Sequence, residues 1–295
     1  MRQQARPYLN VAFTRKGLRT RIVERPGLTL RPDQLADLLS QAREVASSLG
    51  GLALAYGPLS GEKEWLDRAI FTLVEDLATG RPVGLSAMVI LDCELGARTV
   101  PVVHIGLTIV SPEYRGQGVS WRLTGFTIAM VLLRNGLRPY WVSNVSQVPS
   151  AIGMFCEAMS NVHPWPGSEG PPPQDHLELA RGLMGQHRAA FGVGDDARFD
   201  ERRFVIENAY TGGSEGLKKA FGVAPAHRDS FINDACQREL DYERGDDFLQ
   251  IGRMSVGAGL RTAFRALRGS RVTDRSKTAA ACPPVFTPAN QGRAK

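Results

Sequence analysis

The chain has 295 residues, enough for one large domain with extensions or two modest ones, and its 43% apolar and 22% charged content is that of a globular protein. The net charge of +6 is concentrated at the ends: residues 1–31 and 255–295 are rich in Lys and Arg, and the stretch between them is acidic. Basic charge spread throughout would suggest nucleic acid, whereas this distribution favours terminal arms that touch an anionic surface or are simply solvated over a sequence-specific DNA-reading domain, and leaves nucleic-acid binding through the arms as the last-ranked alternative.

No run reaches the roughly 18 apolar residues that span a bilayer. The first residues carry cations with no apolar stretch behind them, so a secretory signal is not expected. Cys93, Cys156, Cys236 and Cys282 are widely spaced with no C-x-x-C pair, which reads as reduced thiols in a cytoplasmic protein, with neither zinc site nor disulfide framework.

Residues 1–24 form a basic N-terminal arm in this reading. Leu28-Thr29-Leu30 is a short strand candidate, and RPDQLADLLSQAREVASSL after it carries apolar residues at helical spacing up to Gly50-Gly51. Ala69–Glu75 and Val83–Leu91 read as strands around a turn punctuated by Gly80 and Pro82, and Val100–Val110 as the next strand. Val119–Asn135 is an apolar helix closed by Gly136. Tyr140–Ser143 is a further strand, and Pro149–Met159 a helix with proline in its first turn. The Pro/Gly-rich stretch 163–174 is a loop. Beyond it the pattern predicts helices near 176–191, 214–221 and 227–241 and strands near 203–208 and 247–253, with a basic, partly disordered tail from 255.

The most informative stretch is HIGLTIVSPEYRGQGVSWRL, residues 104–123, where a strand hands over to a helix through Arg115-Gly116-Gln117-Gly118. Glycine permits close backbone approach, a helix N-terminus presents free N–H groups, and Arg115 adds a full charge. Arg115, Gly116, Gln117, Gly118, Val119 and Ser120 therefore make a site for phosphate or pyrophosphate. A P-loop would need Lys after Gly118, and a dinucleotide fingerprint would need a third glycine; both are absent.

The pattern L-x-V-x-P-x-Y-R, whose last residue opens [Q/R]-x-x-G-x-[G/A], is followed closely by Leu107 to Ser120, with Leu107 one residue ahead of the pattern's Leu and Ser120 in place of the final Gly or Ala. In this motif and in element order from Leu28 to about Met159, the chain resembles the GNAT superfamily of acyl-CoA-dependent N-acyltransferases. The resemblance implies an α/β (α+β) fold: a mixed, mostly antiparallel, splayed sheet flanked by helices, here with a C-terminal extension. It implies a core over 25–160 that binds acetyl-CoA or another acyl-CoA. Pantetheine would lie between strand 100–110 and the strand near 140 against the backbone of Leu107, Thr108 and Ile109, and the amides of Gln117–Ser120 would hold the pyrophosphate. The amide near Ile109 would polarise the thioester carbonyl.

For a base, the family often uses a Glu on this strand; the only ionisable residue between Arg98 and Glu113 is His104. Its ordinary pKa suits the role, but strict alternation puts it on the face opposite Val103, Ile105, Leu107 and Ile109 unless a bulge changes the parity. A core histidine is the alternative. The family's usual acid is a Tyr where this chain has Phe155, which cannot donate a proton, and Cys156 and Tyr140 are candidate substitutes.

The loop 161–175 and the segment 176–254 would complete the sheet and wall the acceptor site, with 203–208 and 247–253 as a closing hairpin. His163-Pro164-Trp165 either lines that pocket or anchors the loop. Gly259–Arg271 is a small basic amphipathic helix that suits weak contact with an anionic membrane, docking on the body, or a solvated tail. The expected activity is transfer of an acyl group, most simply acetyl, to a small-molecule or peptidyl amine by direct attack in a ternary complex. The alternatives are a non-catalytic acyl-CoA-binding module and a long-chain or lipid-related acyltransferase at the membrane surface.

Overall fold

The computed structural model describes residues 8–47, 56–167, 170–212 and 214–261. The chain opens with a hairpin, β1 (Asn10–Arg15) and β2 (Leu18–Glu24), closed by Lys16 and Gly17, both at positive φ. That two-residue turn matches the twist of the flanking strands. Leu18, Thr20 and Ile22 point inward while Arg19 points to solvent, so the cations of the expected arm decorate the outer face of a sheet strand. Residues 10–24 are thus part of the body and not a free arm.

Three short helical turns, α1 (Pro26–Thr29) before it and α3 (Gly57–Ser60) and α4 (Lys63–Leu66) after it, flank the long helix α2 (Pro32–Ser47). The strand expected at Leu28–Leu30 is α1. Pro26 sits at its first position with φ already helical, and only Leu30 is extended. Next come β3 (Ala69–Asp76) and the long β4 (Arg81–Leu95). The single strand expected over 100–110 is two, β5 (Arg98–Ile105) and β6 (Thr108–Val110), with a break at Gly106-Leu107.

A continuous helical run follows: α5 (Val119–Trp121), a π turn (Arg122–Phe126) and α6 (Thr127–Arg134). Gly136, at φ 69°, closes it. Then come β7 (Tyr140–Ser146), α7 (Pro149–Ala158), β8 (Ser160–His163), α8 (Gln174–Gln186), β9 (Arg198–Asp200), β10 (Val205–Glu207), α9 (Ser230–Glu239) and β11 (Asp247–Met254). The helix expected at 214–221 is replaced by two 3-10 turns, Glu215–Leu217 and Phe221–Val223, a stretch where Gly216, Gly222 and Pro225 oppose continuous helix.

These strands form one sheet in the order β1-β2-β3-β4-β5-β7-β11-β10-β9, with β6 on β4 and β8 on β11. All the pairings are antiparallel except β5 with β7. One face is covered by α2, whose Leu38, Ala42 and Val45 pack on Phe71, Leu73, Leu85 and Ala87, and by α8, whose Leu179 and Leu183 pack on Leu91, Val102, Leu249 and Ile251. On the other face Ile128, Val131 and Leu132 of α6 cover Ile70, Met88, Ile90 and Val142, joined by Phe155 of α7. Val205 of β10 pairs with Phe248 of β11, so the expected closing hairpin strands are neighbours, with α9 between them in sequence. No described helix is long and apolar enough to cross a membrane. Beyond Arg261 the basic amphipathic segment lies outside the described residues.

Candidate functional site

The sheet parts at its middle. β5 and β7 run parallel and pair from Val102↔Trp141 to Ile105↔Asn144. At Gly106 the first strand steps away, and β6 continues on β4 alone, through Ser86↔Thr108, Leu85↔Ile109 and Gly84↔Val110. A wedge therefore opens between β6 and the end of β7.

Which backbone groups face the wedge follows from alternation along an antiparallel pair. The Ala87 amide donates to the Leu107 carbonyl at 2.9 Å and the Ser111 amide to the Val83 carbonyl at 3.0 Å. Leu107, Ile109 and Ser111 thus direct their ladder groups toward β4, and Thr108 turns its amide and carbonyl into the gap. This corrects two expectations. The Ile109 amide lies in the ladder and is not the group that meets a thioester carbonyl, and Ile109 itself is a core side chain under α2. Tyr56 Oη, 3.4 Å from the Ala87 carbonyl oxygen, lies beside the Leu107 amide.

At the end of β6 the chain makes a Pro112–Tyr114 3-10 turn, tied down by Tyr114 Oη donating to Asp76 Oδ2 at 2.5 Å. Arg115 is exposed, and its Nε donates to the Val110 carbonyl at 3.3 Å, which aligns the guanidinium beside the loop. Gly116 and Gly118 have φ of 74° and 76°, a region that disfavours side chains, and a Cβ at either would meet nothing within 4 Å. Gln117 Nε2 donates to the Glu113 carbonyl at 2.8 Å, leaving its backbone on the outside. Gly118 caps the helical run that starts at Val119; Val119 is buried and Ser120 exposed. The loop is an open, positively polarised cradle at the head of a helix, beside the wedge.

His104 lies elsewhere. The break at Gly106 does change the parity of the strand: His104 pairs with Val89 and Ile109 with Leu85, on one face, while Val103 and Ile105 pack on the other. His104 is 1% exposed, its Nδ1 3.0 Å from Ser143 Oγ and its ring 4.8 Å from that of Phe191. Burial pushes its pKa down to about 3. A group that weakly basic and sealed in the core is a poor acceptor for an ammonium proton, so the structure assigns His104 the core role.

The substitute acids are also packing residues. Tyr140 Oη donates to the Ile128 carbonyl at 2.9 Å, and Phe155 is buried under the sheet. Cys156 accepts from Gln250 Nε2 at 3.2 Å, and burial drives its thiol up to about 12. His163 pairs with Ile251 in the sheet, its ring 4.5 Å from that of Phe204, so the His163-Pro164-Trp165 group anchors the loop.

Asp247, which no sequence motif marks, begins β11 just past the end of β7. It is 4% exposed, accepts from Tyr210 Oη at 3.0 Å, and burial raises its carboxyl to about 7. Only the Asp246-Asp247 pair at a strand start could have signalled it; what sets its range is burial, a tertiary property.

Element order, the parted parallel pair and the glycine loop at the helix head coincide with the features implied by the resemblance. The fold is GNAT-like. Protein-family models and curated proteins give no match. Among solved structures, the chain is similar to a ribosomal-protein-S5-alanine acetyltransferase from Vibrio fischeri, at 12% identity over 82% of this chain and 96% of that one, with a TM-score of 0.36. An acetyltransferase of Trypanosoma brucei overlaps 40% of this chain and 76% of its own at 22% identity, with a TM-score of 0.28. An aminoglycoside acetyltransferase from an uncultured soil metagenomic sample overlaps 41% and 74% at 13% identity, with a TM-score of 0.31. Overlaps of this kind leave the activity of the GNAT-like chain to be argued from its own residues.

Proposed function

We propose that the protein binds acyl-CoA in the wedge between β6 and β7 and transfers its acyl group to an amine. The observation that carries the reading is the junction itself. A strand edge with the Thr108 amide and carbonyl turned outward runs directly into the Arg115–Ser120 cradle at a helix head. Pantetheine amides pair with such an edge as an added strand would, and a diphosphate suits the cradle's N–H groups and the Arg115 guanidinium.

In the transfer the amine nitrogen attacks the thioester carbonyl, the C–S bond breaks, and CoA leaves as thiolate. The nitrogen must lose a proton, and we assign that step to Asp247, a buried carboxylate at the start of β11 whose raised range suits it. A thiolate of pKa about 8.5 is protonated by water, so Phe155 in the acid's position does not stop the reaction. Acetyl is the simplest acyl group for this site, and the acceptor is a small-molecule or peptidyl amine in the cytoplasm.

The core placement of His104 favours a second reading, a module that holds acyl-CoA without chemistry. Calorimetric titration of the full chain with CoA and acetyl-CoA, beside CoA release from acetyl-CoA over a panel of amines, separates the two. Binding with turnover on any amine supports the enzyme, binding without turnover the module, and no CoA binding refutes both.

A further inference from the structure

The break at Gly106 has a visible cause. In an unbroken antiparallel pair, the Leu107 amide would donate to the Ala87 carbonyl, completing the pair whose other bond, from the Ala87 amide to the Leu107 carbonyl, is intact at 2.9 Å. Instead the hydroxyl of Tyr56 stands between them. Tyr56 Oη lies beside the Leu107 amide and donates to the Ala87 carbonyl over a long 3.4 Å. A Cβ at Gly106 would lie 1.6 Å from Tyr56 Oη and 2.6 Å from the Ala87 oxygen, so only glycine leaves room for the hydroxyl.

The ring that delivers this hydroxyl is anchored. Tyr56 is 8% exposed and packs with Leu59, Leu66, Ala87 and Ile109 beneath α2. Burial raises its pKa, so the phenol stays neutral and keeps both its donor and its acceptor function.

We propose that Tyr56 is a positioning residue for the acyl donor: its hydroxyl, inserted into the β4–β6 ladder, fixes the break at Gly106 and with it the line on which the β6 edge faces β7. The inference rests on the acyl-CoA reading for its consequence and on the ladder geometry for its cause. Without the hydroxyl, the Leu107 amide and the Ala87 carbonyl close on each other and the strand regularises. The edge at Thr108 is then displaced from the line along which pantetheine would pair, while the Arg115–Ser120 cradle, beyond the break, keeps its shape. Tyr56 thereby links the α2 side of the molecule to the geometry of the wedge.

The test is Tyr56→Phe in the full chain, which keeps the ring and its packing. Deuterium exchange over residues 104–110 reads the ladder, and calorimetry reads affinity for CoA and for 3′,5′-ADP, which lacks pantetheine and the outer phosphate of the diphosphate. The expected result is a folded variant with slower exchange at Leu107, CoA affinity about tenfold weaker, and unchanged affinity for 3′,5′-ADP. Unchanged exchange at Leu107 overturns the wedge, whatever the ligand data. Altered exchange with unchanged CoA affinity, or with CoA and 3′,5′-ADP weakened alike, overturns the positioning role. If the wild-type chain binds neither ligand, the acyl-CoA reading has failed and the positioning role falls with it; exchange at Leu107 still decides whether the hydroxyl fixes the break.

Discussion

Ser120→Glu separates the anion cradle from an ordinary helix start. Ser120 is exposed in the first turn after the Gly118 cap, and its helical backbone accepts any side chain, so the change introduces no strain of the kind expected at Gly116 or Gly118. In the free protein, a carboxylate near a helix N-terminus stabilises by about 0.3–1 kcal/mol. In the complex, the same carboxylate stands about 5 Å from a diphosphate carrying about two charges. At an effective dielectric constant of about 40–80, their repulsion is about 1.5–3 kcal/mol, a 10- to 150-fold loss of CoA affinity. The variant is therefore expected to melt at or slightly above the wild-type temperature and to bind CoA at least tenfold more weakly in low-salt calorimetry, with the difference shrinking in high salt. Ser120→Ala is expected to bind nearly as wild type. CoA affinity within twofold of wild type for Ser120→Glu would refute the placement of the diphosphate.

Four further outcomes follow from the same geometry. His104→Gln is expected to leave turnover within a few-fold of wild type while changing the acid stability profile. With its folded pKa near 3 against an ordinary 6.5, His104 stabilises the fold above pH 6.5 and that stability is lost as pH falls toward 3, by up to about 1.4 kcal/mol per pH unit. Asp247, raised to about 7, acts with opposite sign, costing stability as pH rises from about 4 to 7, so the wild-type-minus-variant difference in urea melts is the quantity to read. Asp247→Asn is expected to lower kcat tenfold or more and to abolish the rise in rate through pH 7; an unchanged pH–rate profile excludes it as the base. Arg134→Ala strips the 2.5 Å partner from Glu24, which is fully buried, and should destabilise by about 3 kcal/mol in a denaturant melt. Deleting residues 1–24 removes β1 and β2, uncovers β3 from Ile70 to Asp76 and is expected to leave insoluble or unfolded protein, whereas a detachable arm would be lost without thermal consequence.

The anion cradle is legible in the sequence by itself because its ingredients are local: two glycines, a cation and a helix start within six consecutive residues. The strands at 69–75 and 83–91 and the helices at 119–135 and 149–159 are legible for the same reason, since burial on one face writes a period into neighbouring residues. The N-terminal hairpin is hidden because its outward positions carry arginine and its turn is Lys-Gly, so charge masks an alternation that only pairing with β3 makes plain. Where the chain steps away at Gly106, which amide faces the wedge, the burial of His104 and the elevated range of Asp247 are decided by the tertiary structure alone. Each depends on atoms far away in sequence, above all a tyrosine hydroxyl, Tyr56 Oη, lodged where a side chain at Gly106 would stand. Residue type and spacing determine what a segment is able to do; desolvation and the competition of distant groups for the same hydrogen bond determine which of those abilities the folded chain keeps.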